Sequence, residues 1–405
     1  MSVEGCRPRL LVFNQYYWPG LEATAHLLAE LCGALADEFD ITVVTGRILI
    51  HAPEAGRSVH EGVEVIRVKS TAFDRRRLYL RALNYLTYMV ESMRAGFRAR
   101  RPDVVLCMTD PPIIGNIALL VARRFGAPLV VISQDVFPEI AVEVKRLENK
   151  PLIALLRVLI AIYLRGADQV VAIGDTMRKR LEAKGACPAR ITVIPNWVDT
   201  TAVYPTDRKN AWSQAQALDG RFVVMHSGNV GHAQDLEALI RATTFVRDLD
   251  DLALVIIGGG ARLLELKELA EVLEADRIQF MGYQSRETLS MSLSTASIHF
   301  VGLGSGLSGY VVPSRLYGIL AAGRPVLVSA DPDSETAMVV ERVGCGIVIS
   351  PGRPELVAKV LRDAHDGRYD LDEMGRRGRE FVVAEADRTV AVHRYRELLR
   401  AVARS

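Results

Sequence analysis

Apolar runs with almost no polar position inside them recur along the chain: RLLVFN (9–14), ITVVTG (41–46), VEVIRV (63–68), VVLCM (104–108), PLVVIS (128–133), QVVAIG (169–174) and ITVIPN (191–196). A strand with one wet face would alternate apolar and polar residues, whereas most of these runs are nearly continuous in apolar residues, which predicts strands covered on both faces. The segments between them carry helical spacing, so this half of the chain reads as α/β with a doubly wound parallel sheet. A polar, turn-rich stretch, NWVDTTAVYPTDRKNAWSQAQALDG (196–220), interrupts the pattern. It then restarts with FVVMHSG (222–228), LALVIIGGG (252–260), IQFMG (278–282), SIHFVGL (297–303), PVLVSA (325–330) and GIVIS (346–350). A second doubly wound domain follows, and an Arg-rich helical tail, RTVAVHRYRELLRAVARS (388–405), closes the chain. We place the domains at 1–203 and 204–385, with 386–405 as a terminal helix. Ligands of such sheets bind beyond the carboxyl ends of the strands, so two domains facing each other imply a central cleft.

The length of 405 residues agrees with two domains, since single cores stop growing at about 250–300 residues. A formal net charge of +2 gives no chain-wide field of the nucleic-acid-binding kind, and any electrostatic function must be local. Cys6, Cys32, Cys107, Cys187 and Cys345 are scattered and frame neither a metal site nor a disulfide scaffold, so they read as reduced core thiols. The N-terminus enters a strand without a signal-like segment, which predicts a cytoplasmic protein. The longest apolar stretch, PLIALLRVLIAIYL (151–164), is broken by Arg157 and is shorter than the ~20 residues of a membrane span, so it reads as a buried or interfacial helix.

Three glycine-bearing turns follow strands of the second domain at their ligand-binding ends. HSGNVGHAQDLEALI offers Gly228 and Gly231, with Gln234 or Asp235 as the cap of the next helix; IIGGGARLLEL follows; and VGLGSGLSGYVVPSRLYGILAAG leads through Pro313 to Ser314 and Arg315. Ser314 suits an N-cap, and an arginine at the first turn beside open backbone N–H groups suits a diphosphate. One such loop is ordinary turn chemistry; three at successive strand ends point to a site.

In the first domain, FDRRRLYLRALNYLTYMVESMRAGFRARR (73–101) sets Arg75, Arg76, Arg77, Arg81, Arg94, Arg98, Arg100 and Arg101 against Asp74 and Glu91, with aromatics interleaved. This composition suits an anionic membrane surface, or else a solvated face of an ordinary packing helix. No nucleic-acid-binding motif accompanies it.

The runs SQDVFPEIAVEV, AIGDTMRKRL, VIPNWVDTTAVYP, HSGNVGHAQDLEALI and VVPSRLYGILAAGRPVL, in this order, resemble the GT-B glycosyltransferases of family 4 (group 1). The likeness is to the bacterial branch that builds capsule, O-antigen and colanic-acid-type polysaccharides. The resemblance implies two Rossmann-like domains, a last helix that returns to the first, and retaining transfer from a nucleotide sugar with neither a metal nor another cofactor. It implies that the donor is a UDP-sugar, of N-acetylhexosamine type, and that the acceptor is a lipid-linked glycan at the inner face of the cell membrane, with the enzyme peripheral there. It lays the donor diphosphate against Gly228, Asn229, Gly231, Ser314 and Arg315, with the base near Gly282 and Tyr283. In the first domain it brings Gly20, Glu22 and His26 to the acceptor, Glu22 as a general base. It sets Gln134 and Asp135 beside the transferred sugar, where Glu139 joins them. Asp135 then orients the sugar and supports the developing oxocarbenium charge, with no covalent attack.

Many relatives of this kind carry a Glu-x7-Glu pair whose second carboxylate grips the donor ribose; this chain has Tyr310 and Gly318 there. Several readings of Gly318 stay open: Glu335 in DPDSETAMVV takes over the ribose, the gap admits a bulkier donor, the glycine serves close helix–strand packing, or activity is lost. The last leaves a silent sugar-nucleotide-binding subunit as an alternative, beside a sugar-nucleotide epimerase of the same architecture.

Overall fold

The computed structural model describes residues 7–20, 22–47, 54–73 and 78–404. The chain divides into two units, Met1–Pro195 together with Ala391–Ser405, and Asn196–Val390.

The first unit is built on strands β1 (Arg9–Phe13), β2 (Asp40–Thr45), β3 (Gly56–His60), β4 (Val63–Arg67), β5 (Val104–Cys107), β6 (Leu129–Ser133), β7 (Gln169–Ala172) and β8 (Ile191–Val193). They form one sheet in the order β3-β4-β2-β1-β5-β6-β7-β8. The pairings are parallel except β3 with β4. β6, LVVIS, is buried at every residue, as a strand with helices on both faces must be. β3 was not expected. Its sequence GRSVH is polar and its first four residues are exposed, because it is an antiparallel edge strand turned back through Glu61 and Gly62.

The tail helix Arg388–Arg404 joins the first unit from Ala391. Arg396 and Arg400 both reach Glu38, each at 2.6 Å, yet pairs this exposed contribute about 1 kcal/mol or less. Tyr395 and Leu399 are fully buried, and each such side chain contributes about 1.5–3 kcal/mol. The apolar face therefore holds the tail.

The second unit carries β9 (Phe222–Ser227), β10 (Leu252–Ile257), β11 (Ile278–Met281), β12 (Ile298–Gly302), β13 (Val326–Ser329) and β14 (Gly346–Ile349). Their order is β11-β10-β9-β12-β13-β14, all parallel. Leu254 and Ile256 of β10, Phe300 of β12 and Leu327 of β13 share one core with Leu239, Val357 and Leu361 of the helices.

Two boundaries differ from expectation. Residues 196–203, assigned above to the first domain, belong to the second unit. Asp387 accepts from Thr200 N at 3.1 Å and Thr200 Oγ1 at 2.6 Å, and Arg379 donates to Thr200 O and Val203 O, each at 2.9 Å. Residues 386–390 stay with the second unit for the same reason. Among the described cysteines, Cys32, Cys107 and Cys345 are buried, but Cys187 is exposed at the start of a short 3-10 turn and is no core thiol. Cys6 lies outside the described residues.

The apolar stretch forms the helix Lys150–Gly166, capped by Asn149, whose side chain accepts from Leu152 N at 3.0 Å. Ile153, Ile160, Tyr163 and Leu164 face the core, while Leu152, Leu155, Val158 and Ile162 are exposed. No helix among the described residues is long and apolar enough to cross a membrane. Arg75, Arg76 and Arg77 lie outside the described residues, as does the side chain of Arg81.

Candidate active site

In the first unit the candidate residues collect at the carboxyl ends of parallel, neighbouring strands. Gly20, Glu22 and His26 follow β1, and Gln134 and Asp135 follow β6, with β5 between. The turn after β1 is held from below. Buried Arg67 donates to Trp18 O at 2.7 Å and Gly46 O at 2.8 Å, and the Trp18 ring stacks on His60 at 3.9 Å. Glu22 occupies the N-cap position of the helix Ala23–Leu35 without a side-chain cap bond. Glu22 and His26 are half-buried. Thr24 Oγ1 donates to Asp110 Oδ2 at 2.9 Å, which ties that helix to the turn after β5. Gln134 is buried and Asp135 exposed at the strand end.

Glu139 is engaged otherwise. Its carboxylate takes Lys184 Nζ at 2.6 Å and Arg157 Nε at 3.0 Å. Burial alone would raise its pKa, but the Lys184 ammonium outweighs that and leaves it below the usual carboxylate range. It anchors the Lys150–Gly166 helix.

In the second unit the loops after β9, β10 and β11 are laced together. Gly228 N donates to Ile257 O, Val230 N to Gly259 O and Gly258 N to Met281 O, each at 2.9 Å, and Tyr283 Oη reaches Gly259 O at 3.2 Å. A Cβ on Gly258 would come within 1.9 Å of Gly228 O, so only glycine allows this approach. After β12, Asp331 accepts from Ser305 Oγ at 3.2 Å and Gly306 N at 2.7 Å, and Asp333 accepts from Ser308 Oγ at 2.8 Å. The third glycine loop is thus pinned by the acids that follow β13.

The expected caps are absent. Ser314 holds the N-cap position of the helix Arg315–Ala321 without a side-chain bond. Gln234 Oε1 accepts from Gly231 N at 2.9 Å. Asp235 Oδ2 accepts from Ser329 Oγ at 2.7 Å and Gly352 N at 2.9 Å, clamping three loops rather than capping. The N–H groups of Gly228 and Gly231 are therefore both taken, while Asn229, Gly282 and Tyr283 are exposed at the strand ends.

Arg315 points back at β9. Its Nη1 lies 3.0 Å from Nδ1 and 2.9 Å from Nε2 of His226, a residue with no exposed surface. Burial draws the guanidinium pKa down to about 10, with Tyr283 opposing. Among the described residues no carboxylate pairs with it. Burial, then Arg315 itself, hold the His226 imidazole well below its ordinary pKa and so neutral. The result is a half-buried cation at the strand ends whose charge no carboxylate among the described residues cancels.

Gly318 has no packing role. A Cβ there would meet only Leu293 Cδ1, at 3.9 Å, an ordinary contact. Glu335 opens the helix Glu335–Val343, where Ser334 Oγ accepts from Ala337 N at 3.3 Å. After burial, Glu335 is the next influence raising the phenol of Tyr317, which lies on the Gly318 helix. That places a carboxylate beside the helix that lacks one.

Residues 20–197 match the family model described as "Glycosyl transferase 4-like domain", and residues 208–381 match the model described as "Glycosyl transferases group 1". The chain belongs to the group 1 glycosyltransferases. This glycosyltransferase is 27% identical over 371 residues to the probable glycosyltransferase WbjE of Pseudomonas aeruginosa, covering 91% of each chain. In fold it is similar to Anabaena HepE, solved with UDP, with a TM-score of 0.73, 14% identity and coverage of 97% of this chain and 100% of that one. It is also similar to WaaG, titled a glycosyltransferase involved in lipopolysaccharide biosynthesis, with a TM-score of 0.67, 16% identity and coverage of 94% and 97%. These likenesses make the two units the paired domains of a GT-B fold.

Two residues of this glycosyltransferase escaped the sequence reading. His226 looks like a core residue of β9, and only its place one step from the strand end hints at more. Arg67 ends β4 as a buried arginine that donates to two main-chain carbonyls, in a run read above only as a covered strand.

Proposed function

We propose that the enzyme takes a nucleotide sugar, a UDP-sugar of the N-acetylhexosamine type, at the carboxyl end of its second domain's sheet and transfers the sugar, with retention, to a lipid-linked glycan acceptor in cell-surface polysaccharide synthesis. The uncancelled charge of Arg315 carries this reading. A fixed cation that the protein does not neutralise suits a ligand that brings its own negative charge, and a guanidinium suits a diphosphate. HepE, similar in fold, was solved in complex with UDP, which supports the same ligand class.

As the bond from the anomeric carbon to the diphosphate breaks, charge grows on the leaving phosphate. Arg315, held in place beforehand, stabilises it without reorganising. Gly228 and Asn229 bring the loop backbone and an amide side chain to the same phosphates, while Tyr283, exposed next to Gly282, offers a face to the base. In the retaining course the leaving phosphate accepts the proton of the acceptor hydroxyl as that hydroxyl attacks from the same side. We assign Asp135 the electrostatic support of the sugar's developing positive charge, and Glu22 and His26, with Gly20 and Gln134, the orientation of the acceptor.

The membrane surface is part of the proposal. The helices Leu78–Arg98, Ile114–Phe125 and Lys150–Gly166 carry eight basic residues against one acid, Glu91. Leu86, Leu155, Val158 and Ile162 on them are exposed. Cations beside bare aliphatic side chains suit an anionic lipid interface, at the inner face of the cell membrane.

Labelled UDP-N-acetylglucosamine, UDP-glucose and GDP-mannose, supplied with and without membranes of a polysaccharide-producing bacterium, test the proposal. Transfer of label to a lipid-extractable product from a UDP-sugar supports it. Donor turnover without acceptor indicates an epimerase, and binding without turnover a silent subunit; either result refutes it.

A further inference from the structure

His226 has no part in the site as drawn so far, yet it touches the one cation that matters. The two ring nitrogens flank Cε1, so an atom in the ring plane at 2.9 and 3.0 Å from both would collide with that carbon. Arg315 Nη1 therefore stands over the face of the imidazole. In the plane, Nε2 turns to Asn229 O at 3.3 Å, the one N–H bond a neutral imidazole can give. The ring is thus locked edge-on by backbone and presents its face.

Gly228 lies against the same guanidinium, where a Cβ would be 3.6 Å from both Cζ and Nε of Arg315. Residues two apart at one strand end, His226 and Gly228, both contact the arginine. We propose that His226 is the positioning residue of the donor site: its neutral ring face seats Arg315 against Gly228 while leaving the guanidinium charge undiminished for the diphosphate. A carboxylate at this position would seat the arginine equally well, but it would cancel the charge and compete with the ligand. A flat neutral face attracts a cation without pairing it.

The inference rests on the donor-site reading above, and the test separates the two. Affinity for inorganic diphosphate, which needs no knowledge of the base, is measured by calorimetry on the full chain, together with kcat and KM for the nucleotide sugar used by the wild type. Thermal melts report folding. Arg315→Ala should abolish diphosphate binding. His226→Ala should weaken it by about three- to thirtyfold, the range expected for losing a cation–ring contact, and raise donor KM by a similar factor with kcat changed less. His226→Phe, which keeps the face and cannot titrate, should restore affinity to within about threefold of wild type. A merely structural histidine would not show this split or this rescue. If His226→Ala binds diphosphate like the wild type, or a folded His226→Phe binds as poorly as Arg315→Ala, the inference is overturned. Should His226→Ala fail to fold, the His226→Phe result decides alone. If Arg315→Ala itself changes nothing, the donor site is misplaced and the inference falls with it.

Discussion

Replacing Gly318 by Ala should stabilise the second domain. Gly318 is the fourth residue of the helix Arg315–Ala321, and its carbonyl accepts from Ala322 N at 3.1 Å, so it sits within the hydrogen-bonded turn. Its φ lies outside the left-handed region, and the added methyl would meet only Leu293 Cδ1 at 3.9 Å. No strain or clash therefore offsets the helix preference for Ala, which is about 1 kcal/mol. For a domain of this size that corresponds to a rise in Tm of about 2–4 °C. Differential scanning calorimetry of the full chain reads it directly. A lowered Tm would refute the reasoning, because it would mean that the glycine serves tight packing after all. The expected rise would leave the open space beside Gly318 as room for a ligand, since the fold itself has no use for it.

Glu335→Gln should raise donor KM by about tenfold, the loss of one charge-assisted hydrogen bond to a ribose hydroxyl, and leave Tm within about 1 °C because the Ser334 cap remains; an unchanged KM removes Glu335 from the donor site. Asp387→Ala should lower Tm by at least about 4 °C, because the backbone N–H groups of Thr200 and Thr389 lose their acceptor and such losses cost about 2 kcal/mol or more. Burial acts to raise the Asp387 pKa, but the bonds from Thr200 and Thr389 outweigh it and hold it below 3.8. Its contribution is therefore complete above about pH 4 and fades as pH falls through the lower folded value. The gap between wild type and variant in melts should close over that acid range, and a constant gap would contradict the assignment. Changing Leu155, Val158 and Ile162 together to Ser should cut sedimentation with phosphatidylglycerol vesicles, and wild-type binding should fall with added salt; equal sedimentation by the variant removes this helix from the membrane face.

Much of the fold was legible because parallel strands buried on both faces leave unbroken apolar runs, and all six strands of the second unit fall inside the runs that announced them. β3 was not, since an exposed edge strand such as GRSVH has no apolar face to show. The domain boundary depended on Asp387 reaching back to Thr200, a pairing 187 residues long that no local pattern encodes. The site divides in the same way. The glycine turns and Arg315 were visible because strand ends and special backbone conformations mark themselves. The partners of a carboxylate do not: Glu139 looked like an acceptor ligand until Lys184, 45 residues on, and Arg157 were found on it. Ser314 and Asp235 had the right chemistry for caps, but neighbouring strands drew Asp235 to Ser329 and Gly352 instead.

The claim on which the rest depends is that Arg315 carries an uncancelled charge for the donor diphosphate. It is tested most directly by calorimetric titration of UDP into the wild type and into Arg315→Ala and Arg315→Lys. A hydrogen bond to a charged group is worth about 1.5–3 kcal/mol, or roughly 10- to 150-fold in Kd. A loss of that size is expected in the Ala variant, with partial recovery in Lys, which restores the charge but not the fork. Equal UDP affinity in all three proteins would contradict it.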